Sequence, residues 1–189
     1  MTEPMALAST LYDFQIVLSN VDRSIDQQLS FKLPRHPSET MERVWLKVLA
    51  FCWLWEERLT FGPGLGDPEA PDLETRDYTN VVKRWVRVGR AEPVKVQRAV
   101  DQNGNGEVCV LFEAPARMES FLAEAAAQKV HRVAKARLAA VDGALLKALG
   151  ERDERRVKVG VTLVGDHFYL DFGGESLDGP LTHAPTTPA

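Results

Sequence analysis

The sequence predicts an α/β fold, a mixed β-sheet packed on helices with a hairpin near each end. Three observations predict it. The stretch Arg35–Leu59 is apolar with a helical period. Runs of alternating apolar and polar residues occur early and late in the chain. Between them, strand-like and helix-like segments follow one another, the pattern of helices laid on a sheet.

Residues 1–8 read as a loose lead-in. Tyr12, Phe14, Ile16 and Leu18 alternate with Asp13, Gln15 and Val17, which predicts a half-buried strand. Asn20-Val21-Asp22-Arg23 supplies a turn. Leu29, Phe31 and Leu33 then alternate with Ser30 and Lys32, giving a second strand that Pro34 stops and that pairs with the first as a hairpin. Pro37 suits the first turn of the central helix, and Glu39 and Glu42 lie near its positive end. Met41, Val44, Trp45, Val48, Leu49 and Cys52 recur at helical spacing, and Trp53, Leu54 and Trp55 widen that surface. A helix apolar around most of its circumference is covered by its neighbours, so this one is the centre of the fold.

FGPGLGDPEAPDLETRD, from Phe61, is rich in glycine and proline and reads as a surface loop. Gly62, Gly64 and Gly66 follow a helix and lack the strand–loop–helix setting of a phosphate-binding loop. Asn80–Val88 reads as a strand that Gly89 ends, with Val82, Arg84, Val86 and Val88 on one face and Lys83, Trp85 and Arg87 on the other. Pro93 opens a helix to about Val100. Asp101-Gln-Asn-Gly-Asn-Gly-Glu fits the opening of a calcium loop, but Phe112 stands at the twelfth position, where a bidentate glutamate is needed. A helix-to-strand turn accounts for the residues without calcium.

Val108, Val110 and Phe112 make a strand, and Pro115 opens a helix with Met118, Phe121, Leu122 and Ala125 inward. Val130–Val141 leans to strand, because Asp142 looks like a fresh N-cap for the short helix of Leu145, Leu146 and Leu149. Val157, Val159, Val161 and Leu163, then Phe168, Leu170 and Phe172, form a C-terminal hairpin turned at Gly165-Asp166. The domain therefore spans 9–173, and 174–189 reads as a flexible tail.

With 189 residues, 44% hydrophobic and 26% charged, the chain is globular and long enough to bury a core. A net charge of −4 argues against indiscriminate nucleic-acid binding while leaving room for a local basic patch. Cys52 and Cys109 fall in apolar segments and read as buried thiols of a reducing compartment. The first residues lack the pattern of a signal peptide, and no apolar run approaches a membrane span. The expectation is a cytoplasmic protein without membrane contact. Four scattered histidines give no zinc spacing, and no nucleophilic triad is suggested.

RHPSETMER (35–43), EERLTFGPGL (56–65), Pro71-Asp72-Leu73 and Trp85-Val86-Arg87-Val88-Gly89 resemble the YaeQ family in content, order and spacing, and the stretch from Arg155 matches more loosely. The resemblance implies a variant of the PD-(D/E)XK nuclease fold, in a family of unsettled biochemical activity. In such a site, carboxylates from a helix and two strands converge on Mg²⁺, which activates water and polarises the scissile phosphate. By resemblance the helix acid is Glu42 or, more weakly, Glu39, the PD aspartate is Asp72, and Asp77 is a further candidate. Metal, Mg²⁺ or Mn²⁺, would rest on Glu42 and Asp72. YaeQ-like sequences usually read W-I-(E/D)-V-G-Q-P at the third element, where this chain has Trp85-Val86-Arg87-Val88-Gly89-Arg90-Ala91. Arginine coordinates no metal and stays protonated. A fixed cation thus stands where a ligand is expected, free to pair with Asp72 or Glu42, which implies a degenerate site and no resident cofactor. Lys95 is another candidate cation there.

Lys83, Arg84, Arg87, Arg90, Lys95 and Arg98 face only Glu92 within their own span. Three readings follow. The cluster contacts phosphates, with Lys83, Arg84 and Arg98 as nucleic-acid contacts of a nuclease-like module. Or the arginines neutralise a former metal site in a structural or protein-interaction domain. Or a metal nuclease survives with Glu39, Glu42, Asp72 and Asp77 as ligands. The sequence names neither the partner nor the oligomeric state.

Overall fold

The structure, a computed structural model, describes residues 8–64 and 67–185. Most of the expected lead-in and the last four residues lie outside them, as does Gly66. The chain runs β1 (Thr10–Asn20), β2 (Ile25–Arg35), α1 (Met41–Trp53), β3 (Leu59–Phe61), β4 (Leu73–Arg76), β5 (Val82–Val88), α2 (Pro93–Gln102), β6 (Glu107–Phe112), α3 (Pro115–Ala127), β7 (Arg137–Val141), α4 (Gly143–Gly150), β8 (Arg156–Leu163), β9 (His167–Asp171) and β10 (Ser176–His183).

The strands form one mixed sheet in the order β2-β1-β8-β9-β10-β7-β6-β5-β4-β3. β1 is parallel to β8, and β5, β6 and β7 are mutually parallel. The remaining neighbours are antiparallel. α1 is the hub. Eleven of its residues are buried, from Met41 to Trp53, against the inner faces of both halves of the sheet. α4 lies beside it. A second core, around Trp85, Val96, Val110, Phe112, Phe121 and Leu138, sits on the other face of β5–β7 beneath α2 and α3.

The expected α/β architecture is present, with four differences. α1 begins only after Thr40, whose hydroxyl accepts from the Arg43 amide at 3.2 Å. Arg35 ends β2, and Pro37 stands in the intervening turn. A side-chain oxygen at the N-cap satisfies a helix amide, and that decides the start. The helix ends at Trp53, and Leu59 already belongs to β3.

Second, the glycine- and proline-rich stretch read as loop begins on the last residue of β3 and contains β4, and these two short strands pair antiparallel. Third, Val130–Val141 is divided between a short 3-10 turn (Arg132–Lys135) and β7. Fourth, the tail reading is overturned. Ser176–His183 is β10, an interior strand bonded to β9 through residues 176–180 and to β7 through 181–183. The hairpin of β8 and β9 is therefore part of a three-strand meander.

Asp142 caps α4 as expected, accepting from the Leu145 amide at 2.9 Å. The 101–107 segment is the helix-to-strand turn, and Asp101 is paired with Arg132 at 2.9 Å. No helix among the described residues is long and apolar enough to cross a membrane.

Candidate functional site: an ion cluster around Asp72

Asp72 enters β4 and is 4% exposed. Its backbone is clamped from two sides. Its N–H donates to the Val86 carbonyl at 2.8 Å, and its carbonyl accepts from the Gly62 amide at 2.8 Å. Its side chain turns back over the end of β5, where Oδ2 accepts from the Val88 amide at 2.9 Å. Oδ1 accepts from Arg43 Nη2 at 2.6 Å, and Arg87 Nη1 stands 3.7 Å from Oδ2. Both oxygens thus face guanidinium groups, one from α1 and one from β5.

Arg87 also donates Nη2 to the carbonyls of Ala70 at 2.9 Å and Pro68 at 3.1 Å. It therefore ties the segment ahead of Asp72 to β5, while its guanidinium lies 5.2 Å from the centre of the Trp85 ring. Of the two partners expected for Arg87, the fold supplies Asp72.

The α1 end carries the rest. Glu39, in the turn before the helix, is 5% exposed. Its Oε1 lies 2.6 Å from Lys47 Nζ and 3.7 Å from Arg43 Nε. Residues 39, 43 and 47 fall four apart, on one side of the helix. The charges form an unbroken run: Lys47, Glu39, Arg43, Asp72, Arg87. Glu42, the first choice for the helix acid, is exposed and lies toward α4, close to Gly150. The structure thus brings Glu39, and not Glu42, to Asp72. Arg43 and Lys47 were missed in the sequence. The signal for them was the fourfold spacing from Glu39, and a lysine inside an otherwise apolar helix.

Of the other candidates, Arg90 and Lys95 share a cleft with this cluster, and the rest are drawn elsewhere. Arg90 is exposed at the lip of a cleft of about 200 Å³ that Arg43, Trp85, Arg87 and Lys95 also line. Lys95 pairs with Glu69 at 3.5 Å and Glu92 at 3.4 Å, and Arg98 with Glu69 at 3.4 Å. Lys83 pairs with Asp77 at 3.3 Å. Arg84 lies at the far end of α1, 2.8 Å from Glu56 and 2.9 Å from Glu107, donating to the Leu54 carbonyl at 3.1 Å. There it opposes the negative end of the helix. The local excess of positive charge is thus answered by Glu56, Glu69, Asp72, Asp77 and Glu107, carboxylates that the fold brings from outside the span or that lie just before it.

The YaeQ protein family model matches residues 5–179. The chain belongs to the YaeQ family. A relative from Salmonella typhi named "Uncharacterized protein YaeQ" is 26% identical over 178 residues, 94% of this chain and 97% of the relative. One of the same name from Escherichia coli K12 is 33% identical over 98 residues, 52% of this chain and 54% of the relative. The crystal structure of the YaeQ protein from Xanthomonas axonopodis pv. citri superposes with a TM-score of 0.83 at 26% identity, covering 93% of this chain and 97% of that one. The YaeQ protein of Pseudomonas syringae gives 0.81 at 22% identity, covering 94% and 96%, which speaks for the fold alone.

Proposed function

We propose that this YaeQ-family chain uses a nuclease-like scaffold of the PD-(D/E)XK type for binding, its metal position having been taken by fixed guanidinium charge. The observation that carries the reading is the carboxylate of Asp72 held between Arg43 and Arg87. A hard divalent cation needs free carboxylate oxygens. Here Oδ1 is taken by Arg43, Oδ2 by the Val88 amide with Arg87 behind it, and Glu39 by Lys47. Neither arginine can shed its proton to make way. This donor set does not fit Mg²⁺ or Mn²⁺. The two buried thiols, Cys52 and Cys109, suit a reducing cytoplasm.

Titration calorimetry with Mn²⁺ tests the reading. Wild type is expected to give no binding heat, and Arg87→Glu to gain it while keeping its circular dichroism spectrum. Binding by wild type that Asp72→Ala abolishes would sink the proposal and return the chain to the metal nucleases.

A second reading has its own support. Arg90 is exposed beside Arg43, Arg87 and Lys95 at one cleft, where these four cations outnumber the two carboxylates of its lining, Asp67 and Glu92, an arrangement able to receive a nucleic-acid phosphate. Affinity for single- or double-stranded DNA or RNA should then fall steeply with salt, and Arg90→Ala should flatten the salt slope by roughly one phosphate contact. Affinity that hardly changes with salt leaves the structural or protein-interaction reading.

A further inference from the structure

β1 and β8 are parallel neighbours, and a parallel pair is ordinarily covered on both faces. The inner face of this pair packs on α1. The outer face presents Gln15, Val17 and Lys158 as exposed side chains, Val17 at 61%. The helices of the outer layer, α2 and α3, pack over β5–β7 instead. Leu11 at 51% and Tyr169 at 46% lie on the same open surface. A shallow hollow of about 900 Å³ crosses it, bounded by Gln15, Val17, Gln28, Lys158, Gly160 and Asp171.

The strand register shows how charge is laid out on this face. Across the row of Asp13 stand Lys32 and Arg156. Gln15 has Ser30 and Lys158 beside it. Across the row of Val17 come Gln28, Gly160 and, through Gly160, Asp171. Ser19 is level with Asp26, Thr162, Tyr169 and Asp178. The face therefore carries net positive charge in the Asp13 and Gln15 rows and net negative charge in the Val17 and Ser19 rows. Asp171 accepts only from the Gly173 amide, at 2.8 Å, and makes no ion pair among the described residues, whereas Asp178 is joined to His167 at 2.7 Å.

We propose that this face is the interface of a symmetric dimer of the chain. A two-fold axis lying between two such faces, across the strands at the level of Ile16, exchanges the Asp13 row with the Ser19 row and the Gln15 row with the Val17 row. It sets Lys32 over Asp26 of the second copy, on the same strand, and reverses the pair. It sets Lys158 over Gly160 of the second copy, whose missing side chain leaves Lys158 room to reach the adjacent Asp171. Val17 meets Gln15. Both charge pairs centre on one axis position, which an isologous contact requires. From ~3.3 Å per residue and ~4.8 Å between strands, five strands offer roughly 600–700 Å² per copy, close to the ~800 Å² per partner of a stable interface. The inference does not depend on what the Asp72 cluster does.

Sedimentation equilibrium of the full chain over a range of concentrations tests it. Wild type is expected to dimerise. Lys158→Glu and Asp171→Lys should each raise the dissociation constant at least tenfold. Combining both in one chain, or mixing the two single variants, should restore association, because each arrangement places opposite charges face to face again. Lys32→Glu with Asp26→Lys provides a second, independent set on other strands. A wild type that stays monomeric at every concentration, or a dimer indifferent to both sets of reversals, overturns the proposal.

Discussion

Lys47 is 4% exposed on a helix that is otherwise buried by apolar contacts, and Glu39 is what holds it there. Lys47→Met should destabilise the protein by about 3–5 kcal/mol in urea unfolding, because it strands a buried carboxylate, whereas Lys47→Met with Glu39→Leu should recover most of the loss. A different carboxylate contributes to the acid response. Asp77 is held well below the usual carboxylate range, first by the Thr79 hydroxyl at 2.7 Å and then by the Val81 amide at 3.0 Å. Its folded pKa lies below its unfolded one. The stabilisation is therefore full above the ordinary aspartate pKa of about 3.9 and is lost as pH falls from there toward the folded value. Asp77→Asn should lower the urea midpoint at neutral pH, with the gap to wild type narrowing on acidification below about pH 4. Burial pushes the Cys52 thiol up to about 12 and raises Cys109 as well. Both should resist iodoacetamide until denaturant is added, as read by mass spectrometry. At this scale Asp72 and Arg87 were legible through the family motifs. The choice between Glu39 and Glu42 was not, because the helix start that separates them depends on Thr40, whereas Pro37 pointed to an earlier start.

At the scale of elements, close approach of backbones decides tolerance. A Cβ on Gly62 would stand 2.0 Å from the Pro71 carbonyl oxygen, a backbone atom that cannot swing away. On Gly150 it would stand 2.3 Å from Cγ of Glu42 and 3.4 Å from the Glu42 backbone nitrogen, so the Glu42 side chain has to rotate to make room. Gly62→Ala should therefore lower the melting temperature by several degrees, while Gly150→Ala should lower it by less, because the Glu42 side chain can change rotamer and a backbone carbonyl cannot. The long alternating strands β1, β2 and β8 were legible, since period two over many residues has no helical counterpart. β3 and β4 have three and four residues among glycines and prolines, too few to display a period. β10 was hidden by Gly179 and Pro180, residues that ordinarily end strands. Gly179 is needed because Asp142 and Leu145 of α4 crowd it, at 2.9 and 3.0 Å from where a Cβ would lie. Pro180 stands where pairing passes from β9 to β7.

For the whole molecule, β10 is the joint. On one side of it lie β2, β1, β8 and β9, and on the other β7 through β3. Both groups rest on α1, but among the described residues only this strand bonds one to the other within the sheet. Removing residues 174–189 should abolish cooperative unfolding, seen as a broad, shallow denaturant transition in place of a sharp one. The sequence placed the helices in order but could not reveal that the sheet doubles back through its last strand, because strand order depends on pairings distant along the chain. The same arrangement has a temporal side. On the ribosome, α1 and β3–β7 emerge while β8–β10 are still to be made, so β7 waits with an open row of amides and carbonyls. A nascent chain at that stage offers other polypeptides an adhesive border, and a chaperone that shields it has to stay until His183 has cleared the exit tunnel.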